Sequence, residues 1–210
     1  MKFTTWNVNS VNARIDHLIK FIKIDQSDVY LLQELKCIEE KFPKQEIEKL
    51  GYKSYVNGQK AWNGVAFLSK KPLDILNNNI PTFKEDDNAR FLEAEIILKK
   101  LNKKIRLINI YLPNGNPIET SKFDYKIEWM KKFNKYILDL YNKNIPLIIG
   151  GDFNVIPNDE DVYSPENFKN DACAHPKTRE QFRVLLNTGF TDSVKYFIEG
   201  NTNWTFWGYR

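Results

Sequence analysis

Residues 146–157 read PLIIGGDFNVIP. Pro146 opens the stretch, Pro157 closes it, and Leu147, Ile148 and Ile149 form a short apolar run of the kind that makes a buried strand. Gly150 and Gly151 are expected to let the chain turn sharply, since neither carries a Cβ. Asp152 and Asn154 flank Phe153, and period-two alternation at a strand's end would put this carboxylate and this amide on one side. Such a pair can position a water, a metal ion or a phosphate. Equally, it can be an Asx-rich turn closing an ordinary strand.

Working outward, strands and helices interleave. Residues 2–8 and 28–33 read as strands, the first ending in Trp6-Asn7-Val8-Asn9 and the second, DVYLLQ, followed by Glu34. Between them, residues 10–12 cap a helix over 13–24, with Ile15, Leu18, Ile19 and Ile22 on one face. Residues 42–50 read as a helix stopped by Gly51, and 52–56 and 64–69 as strands. Residues 91–98 and 104–111 are strands around the polar turn 99–103. Apolar residues at 3.6-residue spacing (Phe123, Ile127, Met130, Phe133, Ile137, Leu140) predict a long amphipathic helix over 121–141. A further helix covers 178–186, its end marked by Gly189. This alternation predicts an α/β layered fold with mixed sheets, because a purely parallel sheet leaves the 91–111 hairpin unexplained. No linker or repeat interrupts it, so 1–210 reads as one domain.

The bulk properties narrow the function. The chain has 210 residues, 42% of them hydrophobic and 14% aromatic, enough for a sizeable core. Cys37 and Cys173 lie far apart and have no metal-ligand spacing, and His17 and His175 are equally isolated, which speaks against a zinc site. The N-terminus MKFTTWNVNS lacks the apolar core of a signal peptide and no run approaches a membrane span, so a cytoplasmic protein with reduced thiols is expected. A net charge of +4 permits a polyanionic partner without demanding one. There is neither a P-loop nor a serine nucleophile elbow, which disfavours nucleotide phosphoryl transfer and serine hydrolysis.

Polar groups recur at strand ends: Asn7, Glu34, Tyr111, and the pair Asp152 and Asn154. Sites in α/β sheets gather where strands end, so the repetition carries more weight than any single member. Glu34 can ligate a hard cation such as Mg²⁺, or open the following loop as a solvated side chain. Asn7 can be a neutral ligand, an outer donor or a helix cap. The Tyr111 phenol can donate to a phosphate oxygen, or can be a buried tyrosine with a satisfied hydroxyl. Phosphodiester hydrolysis needs a cation, a positioned water and neutralisation of transition-state charge, and these groups supply most of that set.

In order along the chain, FTTWNVNSVNAR, LLQELK, NGVAFLSK, INIYLPNG, GGDFNVIP and TDSVKYF…WTFWGYR resemble the exonuclease III (AP endonuclease) branch of the exonuclease/endonuclease/phosphatase family. The resemblance runs from the first residues to the last. It implies a four-layer α/β sandwich of the DNase I type, two mixed sheets face to face with helices outside. It also implies a metal-dependent DNA-repair nuclease that cuts double-stranded DNA 5′ to abasic sites and at 3′ ends, with Mg²⁺ as cofactor (Mn²⁺ as the alternative). A monomer is expected. By motif, Glu34 resembles the metal-binding glutamate and Asn7 its neighbour in the metal site. Tyr111 resembles the tyrosine facing the scissile phosphate, Asp152 the aspartate that handles the water or the leaving group, and Asn154 the asparagine holding the phosphate. Arg90 and Asn114 resemble DNA-backbone contacts, and Phe206 and Trp207 the aromatics that border the pocket for a flipped-out abasic sugar.

The family pattern continues past WTFWGYR with an Arg-x-Asp strand and a Ser-Asp-His motif, whereas this sequence stops at Arg210. The expectation is a domain incomplete at its C-terminus, its last strands and a catalytic Asp-His pair missing. Two readings follow: a nuclease whose site is otherwise present, and a catalytically impaired or inactive DNA-binding remnant. Turnover on abasic-site DNA separates them. A third reading, a phosphodiesterase acting on small molecules, fits the basic balance and the aromatic TFW segment less well.

Overall fold

In the computed structural model, residues 1–98, 103–198 and 204–206 are described. The order of elements is β1 (Phe3–Asn7), α1 (Ile15–Asp25), β2 (Val29–Gln33), α2 (Lys44–Glu48), β3 (Lys53–Asn57), β4 (Val65–Ser69), β5 (Asp74–Asn77), β6 (Phe91–Leu98), β7 (Lys103–Tyr111), α3 (Ser121–Asn142), β8 (Leu147–Asp152), α4 (Pro176–Asn187) and α5 (Ser193–Phe197). The eight strands form two four-stranded sheets, ordered β1-β2-β4-β3 and β5-β6-β7-β8. Each sheet is mixed: β1/β2 and β7/β8 are parallel and the other pairs antiparallel. Parallel neighbours need a crossover, and α1 and α3 supply the two connections. The predicted α/β sandwich of two mixed sheets flanked by helices is the architecture observed.

Burial explains the layering. Every residue of β2 (VYLLQ) and of β4 (VAFLS) is buried, so both faces of the first sheet are covered. On its outer face Tyr30, Leu32, Ala66 and Leu68 pack with Leu18 and Ile22 of α1 and Ile47 of α2. On the inner face Val29, Leu31, Val65 and Phe67 meet Leu92, Ala94, Ile96 and Leu107 of the second sheet. Helix α1 stops at Gln26, whose left-handed φ of 51° aims its N–H at the Ile22 carbonyl. Helix α4 begins at His175, whose Nδ1 accepts from the Lys177 N–H, with Pro176 in the first turn.

The described chain divides into two units. One comprises residues 1–112 and 140–153 and holds both sheets with α1 and α2; the other comprises 113–139 and 154–210. In the second, α3 and α4 are joined by Asn134, whose Nδ2 donates to the Gln181 carbonyl at 2.9 Å. Trp129 stacks on Phe133, and Arg179 donates to the Ile156 carbonyl at 2.9 Å.

Three local expectations are corrected. Gly150 and Gly151 do not turn the chain, because both lie inside β8. Their lack of a Cβ serves close approach instead: a Cβ on Gly150 would stand 2.8 Å from Leu31 Cδ2 in the facing sheet, and one on Gly151 (φ 144°) would run into the backbone of Ile110 in β7. Second, β8 ends at Asp152 and Asn154 adopts a left-handed φ of 46°, so strand alternation does not set the direction of its side chain. Third, β5 was not foreseen; its sequence, DILN, has three exposed residues and no buried alternation to reveal it. Gly151→Ala meets backbone rather than a movable side chain, so it is expected to cost about 3 kcal/mol or more, read from urea unfolding.

Candidate active site

Strand periodicity builds the site. Thr5, Asn109 and Gly150 each lie two residues before Asn7, Tyr111 and Asp152, so each pair shares the face of its sheet that points at the other sheet. In register, Asn7 stands opposite Gln33, and Tyr111 opposite Asp152. Glu34 follows β2 directly and takes a left-handed φ of 53°. That turn breaks the alternation and brings its carboxylate back to its neighbours. Asn9, Ser10, Lys36 and Asn63, in the loops around it, also have positive φ. Strained backbone gathered at one end of a sheet is the pattern of a functional site.

The four groups touch. Asn7 Nδ2 donates to Glu34 Oε1 at 2.8 Å and to Asp152 Oδ2 at 2.7 Å, while its Oδ1 accepts from the Asn9 N–H at 3.0 Å. The Asn9 contact fixes which end of the amide faces the carboxylates. Tyr111 Oη donates to the same Glu34 oxygen at 3.0 Å. Lys36 Nζ lies 2.9 Å from Glu34 Oε2 and also donates to Asn9 Oδ1. The Arg90 guanidinium covers the Tyr111 ring at 4.9 Å and donates to the Tyr111 carbonyl at 3.2 Å.

Burial works to raise the Glu34 carboxyl, but the donors Asn7, Lys36 and Tyr111 outweigh it and hold it below the usual glutamate range. Burial, with the Glu34 carboxylate beside it, pushes the Tyr111 phenol well up against the opposing charge of Arg90. The phenol therefore stays a hydrogen-bond donor through the neutral range. Because Glu34 is depressed in the fold, its stabilising contribution is complete above the ordinary glutamate value of about 4.3 and is lost as pH falls from there through the folded value. Glu34→Gln is expected to flatten the dependence of the urea midpoint on pH between about pH 3 and 5. A variant profile as steep as the parent's would assign that acid sensitivity to other carboxylates.

The donor set suits a hard cation. Two carboxylates and an amide face one another, and no group of three or more His, Cys, Asp and Glu placed to hold a metal ion occurs among the described residues. Mg²⁺ is held by one or two protein carboxylates with water completing its shell, so Glu34 and Asp152 match it better than they match zinc. Asn7 presents its NH₂ to both carboxylates.

The sequence matches the endonuclease/exonuclease/phosphatase family over residues 4–210. The chain belongs to that family. It is 32% identical to exodeoxyribonuclease III of Haemophilus influenzae over 218 residues, spanning 100% of this chain and 81% of the relative. It is similar in structure to the 3′ phosphatase NExo from Neisseria, solved with a product DNA hairpin, at TM-score 0.90 and 32% identity over 100% of this chain and 79% of that one. An AP endonuclease from Archaeoglobus fulgidus matches at TM-score 0.84 and 30% identity over 93% and 74%.

Of the residues that the family resemblance singles out, Asn7, Glu34, Tyr111 and Asp152 come together in the first unit, with Arg90 against Tyr111. Asn154 and Asn114 meet in the second unit, Asn114 Nδ2 donating to Asn154 Oδ1 at 3.3 Å, near Cys173 Sγ at 3.7 Å. The buried Lys126 ammonium ties their backbones, donating to the Asn114 and Asn154 carbonyls at 3.0 and 2.6 Å. Phe206 is exposed, and Trp207 lies outside the described residues. The predicted set omitted Lys36 and Asn9. It also omitted Gln33 and Asn109, whose signal was legible as an amide within each of the apolar runs DVYLLQ and RLINIY.

Proposed function

We propose that this protein is a metal-dependent DNA-repair nuclease that hydrolyses phosphodiesters 5′ to abasic sites and at duplex 3′ ends. The observation that carries the reading is Asn7 held between the Glu34 and Asp152 carboxylates, with the Tyr111 hydroxyl on the same Glu34 oxygen. The relatives named for exodeoxyribonuclease III, 3′ phosphatase and AP endonuclease activities support the substrate class. A divalent cation held by Glu34, with Asp152 near it, would polarise the phosphate and offset the charge that develops on its oxygens.

The chain's own residues do the rest. Asp152 accepts a hydrogen bond from the attacking water and takes its proton as the oxygen closes on phosphorus and the P–O3′ bond breaks, the departing 3′ oxygen taking a proton from solvent. Tyr111, protonated and braced by Arg90, donates to a non-bridging phosphate oxygen as charge grows there. Lys36 keeps Glu34 ionised. By the family resemblance, Arg90 and Asn114 contact the DNA backbone and Asn154 a phosphate. Mg²⁺ is the working metal, duplex DNA the partner, and the protein acts as a monomer in the cytoplasm; no helix among the described residues is long and apolar enough to cross a membrane.

The test is cleavage of a labelled duplex carrying one abasic site, at varied Mg²⁺, beside a duplex with a 3′-phosphate end. Metal-dependent incision at the abasic site, with removal of the 3′-phosphate, is expected. A folded protein that binds the duplex and cuts neither substrate would replace this reading with that of a DNA-binding protein without nuclease activity.

A further inference from the structure

Directly beneath the site, one pleat step toward the core, lies a polar layer in an otherwise apolar inter-sheet space. Gln33 and Asn109 are buried, at 1% and 0% exposure. Gln33 Nε2 donates across the gap to Asn109 Oδ1 at 2.8 Å, and within its own sheet to the Leu31 carbonyl at 2.9 Å and Thr5 Oγ1 at 3.1 Å. Asn109 Nδ2 reaches back across the gap to the Leu32 and Ala66 carbonyls at 3.0 and 2.9 Å. Asn109 thus bonds both central strands of the opposite sheet. Below this layer the facing side chains are Val29, Leu31, Val65, Phe67, Leu92, Ala94, Ile96 and Leu107.

Apolar side chains of similar volume would fill this space without any need to satisfy buried amides, so a polar bridge makes sense where it fixes geometry that dispersion contacts leave loose. The geometry at stake is one step away. Gln33 immediately precedes Glu34, Asn109 lies two residues before Tyr111, and Glu34 and Tyr111 come from opposite sheets yet meet at 3.0 Å. Sheets packed on apolar side chains alone can shift against each other by fractions of an ångström, and a displacement of about 1 Å at a reacting group costs on the order of 10²-fold in rate. We infer that Gln33 and Asn109 are positioning residues, a cross-sheet bridge that sets the separation and register at which Glu34 and Asn7 of one sheet meet Tyr111 and Asp152 of the other. The inference rests on the nuclease reading for its purpose, but the geometry it concerns can be read without metal or DNA.

The test uses Gln33→Met and the milder Thr5→Val, with Ile96→Ala as a control that damages the same inter-sheet core at a distance from the bridge. The first readout is the Asn7 side-chain amide in ¹⁵N-resolved NMR, whose two protons face the Glu34 and Asp152 carboxylates. The second is Mn²⁺ affinity, followed by the paramagnetic signal of the free ion. Gln33→Met is expected to move the Asn7 amide signals toward those of a free amide and to weaken Mn²⁺ binding about 10–100-fold, the range for losing an outer-shell support. Thr5→Val should shift both in the same direction by less. Ile96→Ala should lower the urea midpoint while changing Mn²⁺ affinity less than about twofold. Unshifted Asn7 signals in either bridge variant, or an equal shift in Ile96→Ala, would overturn the inference. Failure of the parent protein to bind Mn²⁺ or cut DNA would count against the nuclease reading, while the Asn7 signals would still decide whether the bridge positions the cluster.

Discussion

Asp152→Asn is expected to lower abasic-site incision about 10³-fold or more while leaving the fold and the urea midpoint close to the parent's, since losing a general base commonly costs 10²–10⁴-fold. The substitution is nearly isosteric. An asparagine at 152 can keep the bond from Asn7 by turning its oxygen to Nδ2, as the carboxylate does now at 2.7 Å. Its NH₂ then stands where the second carboxylate oxygen was, and an amide can neither take a proton from water nor contribute charge to a cation. Single-turnover cleavage at saturating protein separates this loss from weaker DNA binding. Cleavage within about tenfold of the parent would mean that Asp152 holds the cluster together and another group activates the water.

Glu34→Gln is expected to act first on the metal. The glutamine can still accept from Asn7 and Tyr111, so the local hydrogen bonds survive, but the charge that faces Lys36 and the cation is gone. Weakening an outer support of a metal ligand typically costs 10–100-fold in affinity, so neutralising the ligand itself should raise the Mg²⁺ concentration for half-maximal cutting at least about 100-fold. The signature is partial recovery of rate at high Mg²⁺, which Asp152→Asn should not show. The measurement is rate against Mg²⁺ for both variants beside the parent. An unchanged midpoint in Glu34→Gln would remove Glu34 from the metal site.

Together the two variants test the division of labour between the two carboxylates that Asn7 bridges, one on the cation and the other on the water. Lys36 biases the assignment. Its ammonium sits 2.9 Å from Glu34 Oε2, and an ionised Glu34 is the form a cation requires.

Much of this was legible in the chain. The apolar runs 28–33, 91–98 and 104–111 and the 3.6-residue period of 121–141 each reappear as the expected element, because burial on one or both faces writes its period directly into the sequence. The polar residues that end those runs are the ones that meet, since a strand's last residue lies where sheet gives way to loop. Other features depended on partners distant in sequence. Gly150 and Gly151 are glycines because Leu31 and the Ile110 backbone approach them, not because the chain turns, and no local pattern distinguishes the two causes. β5 exists because β6 offers it an edge, its own residues being largely exposed. Gln33 and Asn109 look like blemishes in apolar strands until the second sheet brings them to 2.8 Å. What the sequence determined alone was the elements with a buried face and the polar groups at their ends, because burial periodicity and strand termini are local properties. Which of those groups share one point, and what holds the two sheets at the spacing that lets them do so, was decided by the tertiary structure, because both depend on contacts between strands up to 145 residues apart.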